Sequence, residues 1–215
     1  MSLEWAQIAS PSCAAATDGG QGRRGARAEQ KALHRGFGLL GHSEGADVAA
    51  GAARALGTRI AGVGLLSGAG ATRFFDDTTL ARRRGDLPGV KSALDDLIAL
   101  TGSAPPAEYA GAASVREISY AIDSTPLEDT RAVNTPVFVA GGTSDDKAPI
   151  ESADLFVAEL LRDPTRAVRY AILPELDHAL RDSKGGEHVG EVVHAFVDWM
   201  FAPSKPRLVT IGLTP

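Results

Sequence analysis

Gly41-His42-Ser43-Glu44-Gly45 sets a serine between two glycines, each two positions away. The segment stands between a strand-like run, Phe37 to His42, and a run of small residues, Ala46 to Leu56, that reads as a helix stopped by Gly57. A serine at such a strand-to-helix turn is held in a strained backbone conformation that lifts its hydroxyl above a sheet. Glycines flank it because neighbouring chain comes too close for side chains. The helix also aims its first turn at the same point, so the backbone N–H of Glu44 can donate to an oxyanion. The chemistry this suits is attack by Ser43 on an acyl carbon.

A serine hydroxyl is a poor nucleophile at neutral pH and needs a base that is itself oriented by a carboxylate. Asp145 follows the strand-like run Pro136 to Ala140, and His178 follows a further run, Val168 to Leu173. Each lies just past the carboxyl end of a predicted parallel strand, where sites form in open α/β sheets. Asp146 competes with Asp145 for the role, and the four-residue step to Pro149 favours Asp145. His42 is read as packing or bonding locally, and Asp177 as staying on its loop's surface. His188 and His194, with Glu187 and Glu191, lack the H-E-x-x-H spacing of a metal site and read as a solvated helix face.

These residues require a particular set of elements. Ile60 to Ser67 is a second apolar strand after the helix that follows Ser43, Ile150 to Arg162 is amphipathic, and Glu187 to Phe201 carries Val189, Val192, Val193, Phe196, Val197 and Met200 at helical spacing. Strands apolar on both faces and separated by helices predict a parallel sheet covered on both sides, a three-layer α/β fold. Between the second and third recognisable strands, from about 71 to 133, there is no strand signal. Val90, Leu94, Leu97 and Ile98 mark one helix there, and Val115 to Ile122 and Leu127 to Val133 are shorter helical candidates. So long an excursion is expected to be a helical cap that shapes the pocket. Residues 1–35, with the loop-like Thr17 to Gly22, are expected to be poorly structured, residues 36–202 to form the core, and 203–215 a tail in which Leu208 to Ile211 suits a short strand.

The order Ser, Asp, His on successive strand ends resembles the α/β-hydrolase family over about Phe37 to Phe201. Gly-His-Ser-Glu-Gly is similar to its nucleophile elbow, Gly142-x-x-Asp145-x-x-Ala-Pro149 to its acid loop, and Asp177-His178-Ala179 to its histidine loop. The resemblance implies a Ser43-Asp145-His178 triad, esterase-like or dienelactone-hydrolase-like hydrolysis of a small acyl substrate, and no metal or organic cofactor. The same triad serves peptidases, thioesterases and acyltransferases. In the family further strands precede the elbow, and a second oxyanion donor comes from a loop after the third strand. The 42 residues before Ser43 contain no His-Gly-type motif after a strand. A truncated or non-catalytic relative that binds without turnover is therefore the rival reading, with Phe37 to His42 as an exposed edge suited to homo-oligomer formation.

Composition adds exclusions. The 215 residues, 44% of them hydrophobic, suffice for one domain with a full core. No apolar run is long enough for a bilayer, and a net charge of -5 gives no reason to expect a nucleic acid partner. Arg23-Arg24 and Arg82-Arg83-Arg84 read as solvated surface. Cys13 is the only cysteine, which rules out an internal disulfide, and Met1 to Ala16 lacks the pattern of an export signal, so a cytoplasmic location is expected.

Overall fold

The computed structural model describes residues 7–9, 36–70, 72–102, 125–202 and 204–213. Six strands form one sheet in simple sequential order: β1 (Gln7–Ala9), β2 (Phe37–His42), β3 (Ile60–Leu66), β4 (Val137–Gly142), β5 (Val168–Leu173) and β6 (Leu208–Ile211). The five from β2 to β6 run parallel, and β1 pairs antiparallel with β2.

The middle strands are apolar on both faces, and successive residues enter different layers. Leu39, Val63, Leu65, Val137, Val139 and Tyr170 pack under α1 (Glu44–Leu56) and α5 (Ile150–Leu161). Their neighbours Leu40, Leu66, Phe138, Ala140 and Ala171 pack under α6 (Val189–Phe201) on the opposite face. α1 approaches the sheet closely because Ala46, Ala49, Ala50 and Ala53 make up its buried stripe. α6 instead fills its side with Phe196, Trp199 and Met200, and Phe196 meets Phe138 edge-on at 5.7 Å between ring centroids. The result is the three-layer, mostly parallel α/β sheet expected from the sequence.

Three helices occupy the described part of the excursion between β3 and β4: α2 (Arg73–Arg83), α3 (Leu87–Gly102) and α4 (Pro126–Arg131). α2 has no apolar stripe to announce it; its start is fixed by Thr72, whose side chain accepts from Phe75 N at 3.1 Å. In α3 Val90 is buried, whereas Leu94 and Ile98 of the predicted stripe are exposed. α4 is a core element. Thr125 and Glu128 close a capping box, Asp129 and Thr130 are buried, and Asp129 pairs with Arg54 of α1 at 2.9 Å. Val115 to Ile122, Cys13, Arg23-Arg24 and most of 1–35 lie outside the described residues.

One expectation is corrected, that of β2 as an exposed edge suited to self-association. Gln7, Ile8 and Ala9 stand opposite Leu40, Leu39 and Gly38, so β1 takes up the hydrogen-bonding side that self-association was expected to use. Three residues cannot display a period of two, which is why this strand has no sequence signature. At the C-terminus β6 falls on the run Leu208 to Ile211 that suited a short strand in the sequence, and it extends the sheet beside Arg169 to Ile172 of β5.

Candidate active site

Ser43 lies at the turn from β2 into α1 with φ 56° and ψ -129°. A non-glycine residue there costs on the order of 1–3 kcal/mol and persists only where its surroundings over-determine it. Here Ser43 N donates to Leu66 O at 2.9 Å, on the neighbouring strand, and Ser43 O accepts from Ala46 N at 2.9 Å, in the first turn of α1. The turn is tight enough that a Cβ on Gly41 would stand 1.9 Å from Gly45 O. The two motif glycines are thus packed backbone to backbone. Glu44 N is in the first turn of α1, where no carbonyl four residues back is available within the helix.

Asp145 follows β4 after a short loop, and its side chain is fully buried. Its Oδ1 accepts from Lys147 N at 2.9 Å and Ala148 N at 2.8 Å, which pins the carboxylate in one orientation. Asp146, its competitor, is exposed. The acid loop and the histidine loop are joined to each other. Ser144 N donates to Leu176 O, Glu175 N donates to Thr143 Oγ1, and a Cβ on Gly142 would lie 2.1 Å from Leu176 O. Asp177 is half-buried and does more than sit on the surface: its Oδ1 accepts from Ala179 N and Arg181 N, both at 2.9 Å, and so shapes the turn that presents His178.

Three strand ends thereby bring three side chains into one line. His178 Nδ1 lies 3.0 Å from each oxygen of Asp145, and His178 Nε2 lies 2.8 Å from Ser43 Oγ. A carboxylate only accepts, so Nδ1 carries the proton and Nε2 is left to accept from the serine hydroxyl. Residues 43, 145 and 178 are far apart in sequence, and the arrangement is what removal of the serine proton requires.

Three further residues surround the triad: His42, read from the sequence as packing or bonding locally, Arg83, read there as solvated surface, and Asp76, which the sequence does not mark. His42 Nε2 lies 2.7 Å from the main-chain carbonyl of His178, with the two rings 5.2 Å apart. Arg83, at the end of α2, donates through Nε to Glu151 at 2.9 Å, pairs its other arm with the same carboxylate, and reaches Asp145 O at 3.4 Å. It ties the excursion to the acid loop. Asp76, one turn into α2, is the third. Burial pushes its carboxyl up to about 7; the Ser152 hydroxyl opposes this in part, and Asp77, Asp145 and Asp47 each add a lesser increment to the rise. Asp76 Oδ1 and Ser152 Oγ are both buried, and apart from their loose approach to each other neither has a hydrogen-bond partner among the described residues.

The Asp76 carboxyl has a consequence for stability. Between 3.8, its ordinary value, and about 7 the folded chain binds a proton that the unfolded chain has released. Stability therefore falls as pH rises through that window, and a constant cost on the order of 4 kcal/mol remains above it. Asp76→Asn, which mimics the neutral acid, should raise the urea midpoint at pH 8 and leave it unchanged near pH 4. Equal midpoints at pH 8 would show that the carboxylate is solvated.

The helix face that carries His188 and His194 is at the surface. His188 contacts Glu191 at 3.0 Å and Asp182 at 3.2 Å, Glu191 first and then Asp182 raising its pKa, and His194 is exposed. Among the described residues no group of three His, Cys, Asp or Glu side chains is placed to hold a metal ion, and no helix is long and apolar enough to cross a membrane.

No protein-family model and no curated protein matches the chain. Solved structures do. An acylaminoacyl peptidase of Pyrococcus horikoshii aligns with a TM-score of 0.50 at 16% identity, over 85% of this chain and 26% of that one. Est1E of Butyrivibrio proteoclasticus aligns with a TM-score of 0.48 at 17% identity, over 75% of this chain and 58% of that one. A monoacylglycerol lipase of Paleococcus ferrophilus aligns with a TM-score of 0.47 at 18% identity, over 82% and 72%. The chain thus spans about a quarter of the length of the peptidase and under two thirds of Est1E. With its parallel sheet, its strained strand-to-helix serine and its likeness to the peptidase structure, the chain has the α/β-hydrolase fold.

Proposed function

We propose that the chain is a serine hydrolase that cleaves a carboxylic ester or related acyl bond through an acyl-enzyme. The observation that carries this reading is the unbroken line Ser43 Oγ, His178 Nε2, His178 Nδ1, Asp145 carboxylate, with contacts of 2.8 and 3.0 Å.

Ser43 Oγ attacks the acyl carbon as its proton passes to His178 Nε2. Asp145 keeps the imidazole in the tautomer that can accept this proton and stabilises the imidazolium that results. The tetrahedral oxyanion is met by Glu44 N–H at the start of α1, where the helix dipole adds to the donor. His178 then protonates the leaving group, which departs and leaves the acyl group on Ser43. A water enters, loses its proton to His178 and attacks the acyl carbon; the bond from that carbon to Ser43 Oγ then breaks, His178 returns the proton to Oγ, and the acid leaves.

A panel of p-nitrophenyl esters, thioesters and p-nitroanilides tests the reading and separates ester cleavage from thioester and peptide cleavage. The expected result is a burst of p-nitrophenol from short esters, close to one equivalent per chain, followed by slower turnover. A chain that binds the esters and releases no p-nitrophenol would be the non-catalytic relative instead.

A further inference from the structure

We propose that His42, the residue before the nucleophile, is a positioning residue that holds His178 in place during the acyl-enzyme stage. The inference rests on the triad reading above. A carbonyl oxygen only accepts, so at 2.7 Å His42 Nε2–H donates to His178 O. This tautomer is fixed by the main chain and does not depend on where the triad's own proton is.

The histidine loop needs such a tether because its other bonds point away from the nucleophile. Asp177 N to Arg181 O, Leu180 N to Asp177 O, and the Asp177 side-chain bonds to Ala179 N and Arg181 N are internal to the loop. Ser144 N to Leu176 O, Glu175 N to Thr143 Oγ1, and the pair of His178 with Asp145 all lead to the acid loop. Among the described residues, what joins His178 to the nucleophile strand and elbow is the Ser43 hydroxyl, through the ring, and His42, through the main chain.

One of these two links is consumed by the reaction. Once Ser43 Oγ is acylated it has no proton to donate, and the bond to His178 Nε2 is lost. Asp145 still fixes the tautomer, but its contact lies at the far side of the ring and leaves the ring free to swing about it. His178 must nevertheless stand over the ester carbonyl to take a proton from the incoming water. The bond from His42 survives acylation unchanged, since neither partner takes part in the chemistry. Its weight should therefore fall on deacylation.

Pre-steady-state kinetics on a short p-nitrophenyl ester tests this with His42→Phe, which keeps a ring and lacks the donor, and His42→Gln, whose amide reaches about as far as Nε2 and donates. Misplacement of a reacting group by about an ångström costs on the order of a hundredfold. His42→Phe should therefore slow deacylation by about tenfold to a hundredfold and acylation by less, with His42→Gln restoring most of the loss. Burst amplitude counts folded, competent chains, so a general loss of structure lowers the amplitude and not the deacylation rate. His42→Leu replaces His42→Phe where the larger ring does not fit.

Three kinetic results would overturn the tether: equal rates in all variants, equal losses in the two steps, or no rescue by glutamine. A proton spectrum separates this from the triad reading. The hydrogen-bonded His178 Nδ1–H should give a downfield resonance that is sharp in the wild type and in His42→Gln and broadened in His42→Phe. That pattern in a chain that shows no burst would retain the tether and remove the catalysis. A burst with unaltered spectra and rates in the variants would retain the catalysis and remove the tether.

Discussion

Ser43→Ala is expected to lower kcat on p-nitrophenyl esters by about a millionfold, the scale on which removal of a triad serine acts. The far-UV spectrum should be unchanged. The hydroxyl does not hold the turn: its described hydrogen bond is to His178, while the turn itself is held by the backbone bonds to Leu66 and Ala46, which alanine keeps. Alanine also keeps the strain, because its Cβ suffers at φ 56° as serine's does. Glycine does not. Ser43→Gly should therefore be as inactive as Ser43→Ala but more stable by on the order of 1 kcal/mol in urea unfolding. An alanine variant that keeps wild-type turnover would remove Ser43 from the mechanism. A glycine variant less stable than the alanine one would mean that the turn is unstrained in solution.

Asp145→Asn is expected to lower kcat by about ten-thousandfold, and the reason is a choice of tautomer. Lys147 N and Ala148 N both donate to Oδ1 at this position, so an asparagine must turn its oxygen toward them. Its NH2 then faces His178 Nδ1 and obliges that nitrogen to accept, which puts the imidazole proton on Nε2 against Ser43 Oγ. The base is then blocked without any change of shape. Asp146→Asn should leave activity nearly unchanged, because Asp146 is exposed and makes no contact with His178. The reverse ranking of the two variants would place the acid at Asp146.

How much of this could be read in advance depends on how local each signal is. The four parallel strands β2 to β5 are legible because burial on both faces demands continuous apolar runs such as Val137 to Ala140, and α6 because a wide apolar stripe demands a helical period. The three residues placed on strand ends are legible because the turn at Ser43 imposes its glycines on the adjacent sequence, and because loops after parallel strands open on one edge of a sheet. α2 carries no periodic stripe, and what fixes its start is a single capping side chain, that of Thr72. Arg83, Asp76 and His42 act across 62 to 136 residues or through burial imposed from elsewhere. A charge run at Arg82 to Arg84 looks the same in sequence whether its middle member is solvated or holds Glu151. The acidity of Asp76 is likewise set by what covers it, and no neighbouring residue type encodes that.

Reaction of the unmodified chain with a fluorophosphonate, followed by mapping of the labelled peptide, asks whether Ser43 is an activated nucleophile, because the reagent depends on an activated serine and not on the correct acyl group. A single label on Ser43 is expected, one that forms on the wild type and fails to form on His178→Ala. Absence of label, or label on a buried serine such as Ser67 or Ser152, would remove Ser43 from the role of nucleophile.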